Sequence, residues 1–151
     1  MTAQVRDILI YKNEEFQLAC EPLKEYLKTE ELPFKLVSPH TACWRGYQAK
    51  WSIVDDKLYL IEWKGYILDY MQIGMGYLFP DKETVFAEWF TGEIKIGMGD
   101  GVLYVHGGYD SIYEGEMTLI FYKGKLVDES TKWLTQEEID EILRKDDERP
   151  F

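Results

Sequence analysis

The sequence predicts an α+β protein that is mainly β: an antiparallel meander forming a curved sheet, sandwich or barrel, with two short helices at its margins. Three observations carry this expectation. Apolar and polar residues alternate over Tyr47, Ala49, Trp51 and Ile53, which is the period of a strand with one buried face. Turn-forming residues recur between short runs rich in aromatic and β-branched side chains. A capping box, Thr135 with Glu138 three residues on, opens the strongest helical pattern in the chain.

The elements follow in order. Val5 to Lys12 is short and β-branched, Asn13 is a turn former, and Glu15 to Ala19 returns as a second strand, so the chain opens on a hairpin. Pro22 suits a first helical turn, and Leu23, Tyr26 and Leu27 fall at i, i+3 and i+4, predicting a short amphipathic helix that stops before Pro33. Residues 33–42 carry two prolines and no period, and read as a connection. After the alternating strand, Asp55 and Asp56 form a tight turn and Lys57 to Trp63 returns; a second turn is expected at Lys64 and Gly65, then a further apolar run from Tyr66 to Met71. Beyond a Gly74 to Pro80 loop, Val85 to Ile96 reads as one long strand and Val102 to Val105 as a short one. Met117 to Tyr122, apolar on both faces, reads as a central strand, and Gly124 turns the chain into Lys125 to Val127. In the final helix Ile139, Ile142 and Leu143 share one face, with fraying expected by Asp146.

A length of 151 residues suits a single domain spanning 1–151, and 5 Trp, 11 Tyr and 7 Phe supply the apolar area to fill one core. Charged residues at Arg6, Asp7, Lys12, Glu14 and Glu15 break any apolar run that could serve as a signal-peptide core or spanning segment, so a cytoplasmic protein without membrane contact is expected. Cys20 and Cys43 lack CxxC spacing and read as packed thiols. The formal charge of −11 disfavours nucleic acid, whose affinity rests on Lys and Arg displacing counterions. That charge is concentrated: Glu14 to Glu31 holds six acids against two bases, and Asp128 to Arg149 nine against four. Acidic margins of this kind steer a basic partner protein.

Chemical motifs are sparse. The histidines His40 and His106 show no HxH or HxxxH spacing, so no metal and no cofactor is expected. His106-Gly107-Gly108 has the glycines of an oxyanion loop, but no serine stands in a GxSxG. Gly97, Gly99 and Gly101 fit neither GxGxxG nor a P-loop. Glu88, Glu93, Asp110, Glu114 and Glu116 could supply an acid and base for a sugar only if the fold converged them. Trp44, Tyr47, Trp51, Trp63, Trp89 and Phe90 are either core or a stacking platform, with Trp51 on the apolar face of its strand.

IGMG at Ile73 to Gly76 recurs at Ile96 to Gly99, and FTGE at Phe90 to Glu93 is echoed by YEGE at Tyr113 to Glu116, both displaced by 23 residues. An aromatic-x-Gly-Glu start at that spacing resembles the MORN repeat, which implies stacked hairpins along an open ribbon. Separately, TACWRGYQAKWSIVDDKLYLIEW (Thr41 to Trp63) with VFAEWFTGEIKIGMGDGVLYVHGGYDSIYEGE (Val85 to Glu116) resembles a group of small bacterial proteins sharing this order of Trp, Gly and Tyr. That resemblance implies a compact bacterial protein and transfers no activity.

The expected function is therefore that of a non-enzymatic acidic domain binding another protein, an inhibitor or immunity-type partner of a basic protein. The candidate binding residues are Trp44, Trp89, His106, Tyr109 and Asp110. Two alternatives stand beside it: a small enzyme or glycan-binding domain with its site at the His106 to Ser111 loop, and a MORN-like scaffold.

Overall fold

The computed structural model describes residues 5–30, 32, 34–103 and 112–147. Ile8–Tyr11 (β1) and Glu14–Gln17 (β2) form the expected antiparallel hairpin. Lys12 and Asn13 both take positive φ, the geometry that matches a two-residue loop to the strands' right-handed twist. Lys24–Thr29 (α1) follows, with Leu23 buried just before it and Tyr26 and Leu27 half-buried against the core.

The chain then crosses to Tyr47–Val54 (β3), which lies on the other edge of β1 and runs parallel to it. The sheet is accordingly mixed, not a pure antiparallel meander. The segment from α1 to Gly46 is long enough for the crossover that a parallel neighbour needs. Along β3 the predicted alternation holds, with Tyr47, Ala49 and Trp51 buried. Asp55 and Asp56, at φ 52° and 60°, turn the chain into Lys57–Ile67 (β4).

The turn expected at Lys64 and Gly65 is absent: β4 runs straight through both, with Gly65 paired to Tyr47. Gly65 serves packing, because a Cβ there would lie 2.3 Å from the six-membered ring of Trp63. The reversal comes at Asp69, at φ 63°, before Met71–Ile73 (β5), and Met75–Leu78 (α2) makes a third, unforeseen short helix in the Gly74 to Pro80 loop. The long strand expected over Val85 to Ile96 is two strands. Val85–Phe86 (β6) pairs with β4; the chain then folds back on itself, Phe90 N–H donating to Ala87 O at 3.1 Å, before Gly92–Leu103 (β7). Val102 and Leu103 end β7, so no separate strand starts there; Tyr104 and Val105 lie outside the described residues.

Ile112–Tyr122 (β8) sits between β7 and Lys125–Trp133 (β9), as its two-faced apolarity predicts. Gln136–Asp147 (α3) closes the described chain. Its capping box is formed: Glu138 N–H donates to Thr135 Oγ1 and Thr135 N–H to Glu138 Oε1, each at 3.2 Å.

Strand order is β2-β1-β3-β4-β9-β8-β7, with β5 and β6 also on β4. The two halves join where Leu58 N–H donates to Gly124 O and Leu126 N–H to Asp56 O, at 2.9 and 2.7 Å. The sheet curls so far that its ends, β2 and β7, approach each other. Among the described residues no hydrogen-bonded ladder joins them, so the sheet is open and not a barrel. One core fills the concave side, drawing Leu9, Trp51, Leu60 and Trp63 from one half and Ile94, Ile96, Leu119 and Phe121 from the other. The Tyr11 hydroxyl donates to Glu129 at 3.1 Å, tying β1 to β9 across that interior. Among the described residues no helix is long and apolar enough to cross a membrane.

Candidate functional site

An arginine and an aspartate anchor the region around the candidate Trp44. Asp7, wholly buried at the start of β1, accepts hydrogen bonds from Arg45 Nη2 (2.7 Å), Ala49 N–H (3.0 Å) and Trp51 Nε1 (3.1 Å). Arg45 also pairs with Glu21 at 3.3 Å and lies over the Tyr47 ring, 5.0 Å from its centroid. Burial pushes the Asp7 carboxyl above its ordinary value, and Arg45 with the two N–H donors pulls it back only in part. The same burial, with Asp7 and Glu21 close by, pushes the Cys20 thiol up to about 12. A thiol at that value stays protonated and is a poor nucleophile at neutral pH. The cluster thus locks the N-terminal arm onto β3, its chemistry turned inward.

Trp44 stands just outside this lock, in the turn before β3, and is 50% exposed. Trp89 is held differently. Its indole N–H donates to Pro22 O at 2.9 Å, and its ring is half-buried against Tyr26, Phe79 and Trp51, with centroids 4.8, 6.2 and 6.3 Å away. Trp44 is not among those neighbours, so the structure does not bring the two candidate tryptophans together. His106, Tyr109 and Asp110 lie outside the described residues, as does the rest of the His106 to Ser111 loop.

Sequence reasoning missed the most exposed tryptophan surface. Trp133, at the end of β9, is 55% exposed. It pairs across the ladder with Gly115, and its ring lies over that glycine: a Cβ at Gly115 would stand 2.5 Å from Trp133 Cε3, and one at Gly99 3.2 Å from Cζ3. Two glycines therefore form the floor on which an otherwise solvated indole is laid flat. The signal was present as YEGE opposite TKWL, but only the register of β8 and β9 reveals it.

The strand carrying Trp133 is unusual in its exposure. From Val127 to Trp133 every residue of β9 is exposed. β9 meets β4 at its beginning, in the Lys57–Lys125 register, so among the described residues its outer edge beyond Leu126 has no strand beside it. Unpaired N–H and C=O groups along such an edge are a template for another chain. Asp128 stands on β9 itself, and the exposed Glu137, Glu138, Asp140 and Glu141 follow in the first two turns of α3.

Among the described residues no group of three or more His, Cys, Asp or Glu is placed to hold a metal ion. The chain matches no family model, and no curated protein or solved structure matches it significantly.

Proposed function

We propose that this chain is a non-enzymatic acidic binding domain that engages a basic partner protein, in the manner of an inhibitor or immunity partner, through the open edge of β9 and the indole of Trp133. The observation that carries this reading is the conjunction on one strand of an unpaired edge and a half-exposed tryptophan seated on Gly115 and Gly99. An extended segment adding to the edge gains main-chain hydrogen bonds, and the indole supplies a rigid anchor with little entropy to lose. Charge supports the choice of partner: residues 128–147 carry eight acids against three bases, within a chain of net −11. A field of that sign speeds encounter with a basic surface and repels phosphate backbones. The free thiols of Cys20 and Cys43 suit a cytoplasmic setting.

The test is comparative capture from lysate of the native cell, using the wild type, Trp133→Ala and Asp128→Lys/Glu141→Lys, at about 0.05 M and 0.5 M salt, where screening differs several-fold. The reading expects a basic protein retained by the wild type at low salt and lost by both variants. Equal recovery on all three proteins, or recovery indifferent to salt, contradicts it.

A further inference from the structure

A second surface carries the opposite charge. A groove of about 410 Å³ opens between the β7–β9 half of the sheet and the N-terminal arm, its lining including Arg6, Lys95, Tyr113, Glu116, Lys132 and Leu134. Among the described residues the lining carries Arg6, Lys95 and Lys132 against Glu116, with Glu93 paired to Lys95 just outside it, inside a chain of net −11. The register explains why. Glu116 on β8 pairs with Lys132 on β9 and, on its other side, with Gly97 on β7, while Lys95 lies two residues from Gly97 along the same strand. The two lysines thus flank Glu116, and Lys95 reaches Glu116 and a second carboxylate, Glu93, only at 4.0 Å. At that distance, with both partners exposed, the pairing is weak and easily exchanged for a better acceptor.

Gly97 opens the space. A Cβ there would lie 2.1 Å from Tyr113 Cδ2, so the Tyr113 ring fills the position a side chain would otherwise take and forms one wall of the groove. Leu134 and Ile112 add apolar surface. Cations with an aromatic wall, in a volume within the range of small-molecule sites, match a compact ligand that is part planar ring and part oxyanion.

We propose that this groove binds a small organic phosphate bearing a planar ring: the phosphate is shared between Lys95 and Lys132, with Arg6 at the margin, and the ring lies against Tyr113. The groove adjoins the Trp133 surface, sharing Gly115 and Lys132 with it, but takes a different ligand, and its binding needs no protein partner. Glu116 opposes the ligand's charge, so its removal strengthens binding.

The probe is 4-nitrophenyl phosphate, titrated calorimetrically into the full chain at low ionic strength, with inorganic phosphate and 4-nitrophenol as the two halves of the ligand. Saturable binding of the whole probe, tighter than either half, is expected. Lys95→Gln and Lys132→Gln should each weaken it roughly threefold to tenfold, and Glu116→Gln should tighten it. All three side chains are exposed, so these variants keep the fold. Binding no tighter than that of inorganic phosphate, indifference to both lysine variants, or weaker binding by Glu116→Gln would each overturn the proposal.

Discussion

Asp7 shows how little a local reading says about a single charged side chain. Between Arg6 and Ile8 it looks like one more solvated acid, yet the fold buries it completely and surrounds it with Arg45, the Ala49 amide and the Trp51 indole. Those donors stand 38 to 44 residues away, beyond the reach of any window. Asp7→Ala leaves two interior N–H groups without their acceptor and takes from Arg45 its buried carboxylate, leaving it Glu21 and the Val5 carbonyl, and is expected to cost about 3–5 kcal/mol in denaturant unfolding. The pH dependence has a definite sign. Because the folded carboxyl titrates above its unfolded value, the native state holds the proton more tightly; the stability that this preference contributes is full below about pH 4 and is lost as pH rises through the folded value. The advantage of wild type over Asp7→Ala should therefore be larger near pH 3 than at pH 7. An advantage that grows with pH would show that the ion pair outweighs burial. Gly65 gives a second residue-scale expectation. Its neighbour Trp63 is buried and cannot swing away, so Gly65→Ala should lower stability by about 1–3 kcal/mol, measured by chemical denaturation.

Elements were legible where the local signal was also the structural cause. The hairpin at Lys12–Asn13, the alternation along β3, the Asp55–Asp56 turn and the Thr135–Glu138 capping box are all decided by residues within a few positions of one another. Glycine misled for the opposite reason. Gly65 reads as punctuation but sits within a strand to admit an indole, and Gly97 and Gly115 likewise make room for Tyr113 and Trp133 on a neighbouring position or strand. Only the register distinguishes a glycine that bends the chain from one that lets an aromatic ring lie on it. The two IGMG copies show the same limit: one spans the end of β5 and the start of α2, the other runs along β7. A direct test of the glycine floor is Gly115→Ala. The new Cβ displaces the exposed ring of Trp133, so partner binding should fall nearly as far as in Trp133→Ala, while stability changes by less than about 1 kcal/mol. Unchanged binding in Gly115→Ala would mean that the orientation of the ring is irrelevant to recognition.

For the whole molecule, the curved, mainly β architecture followed from pattern, whereas the parallel pairing of β1 with β3 and the open seam between β2 and β7 did not. Both depend on where a connection crosses, and no residue in the crossing segment encodes the side it chooses. Of the candidate site residues, Trp44 is exposed and Trp89 is fastened to Pro22 and its aromatic neighbours, while the surface around Trp133 emerged only from the assembled sheet. Charge distribution links the scales: acids at the sheet margin face one class of partner, and a small basic groove faces another. The docking edge of β9 is tested most directly by amide hydrogen exchange, residue by residue, with and without the captured partner. The outward amides between Val127 and Trp133, apart from that of Glu129, which donates to Asp128 Oδ1, should exchange freely in the isolated chain and slow by at least about tenfold in the complex, as paired edge groups do. Protection that appears elsewhere in the complex, with β9 exchanging as before, would contradict the account.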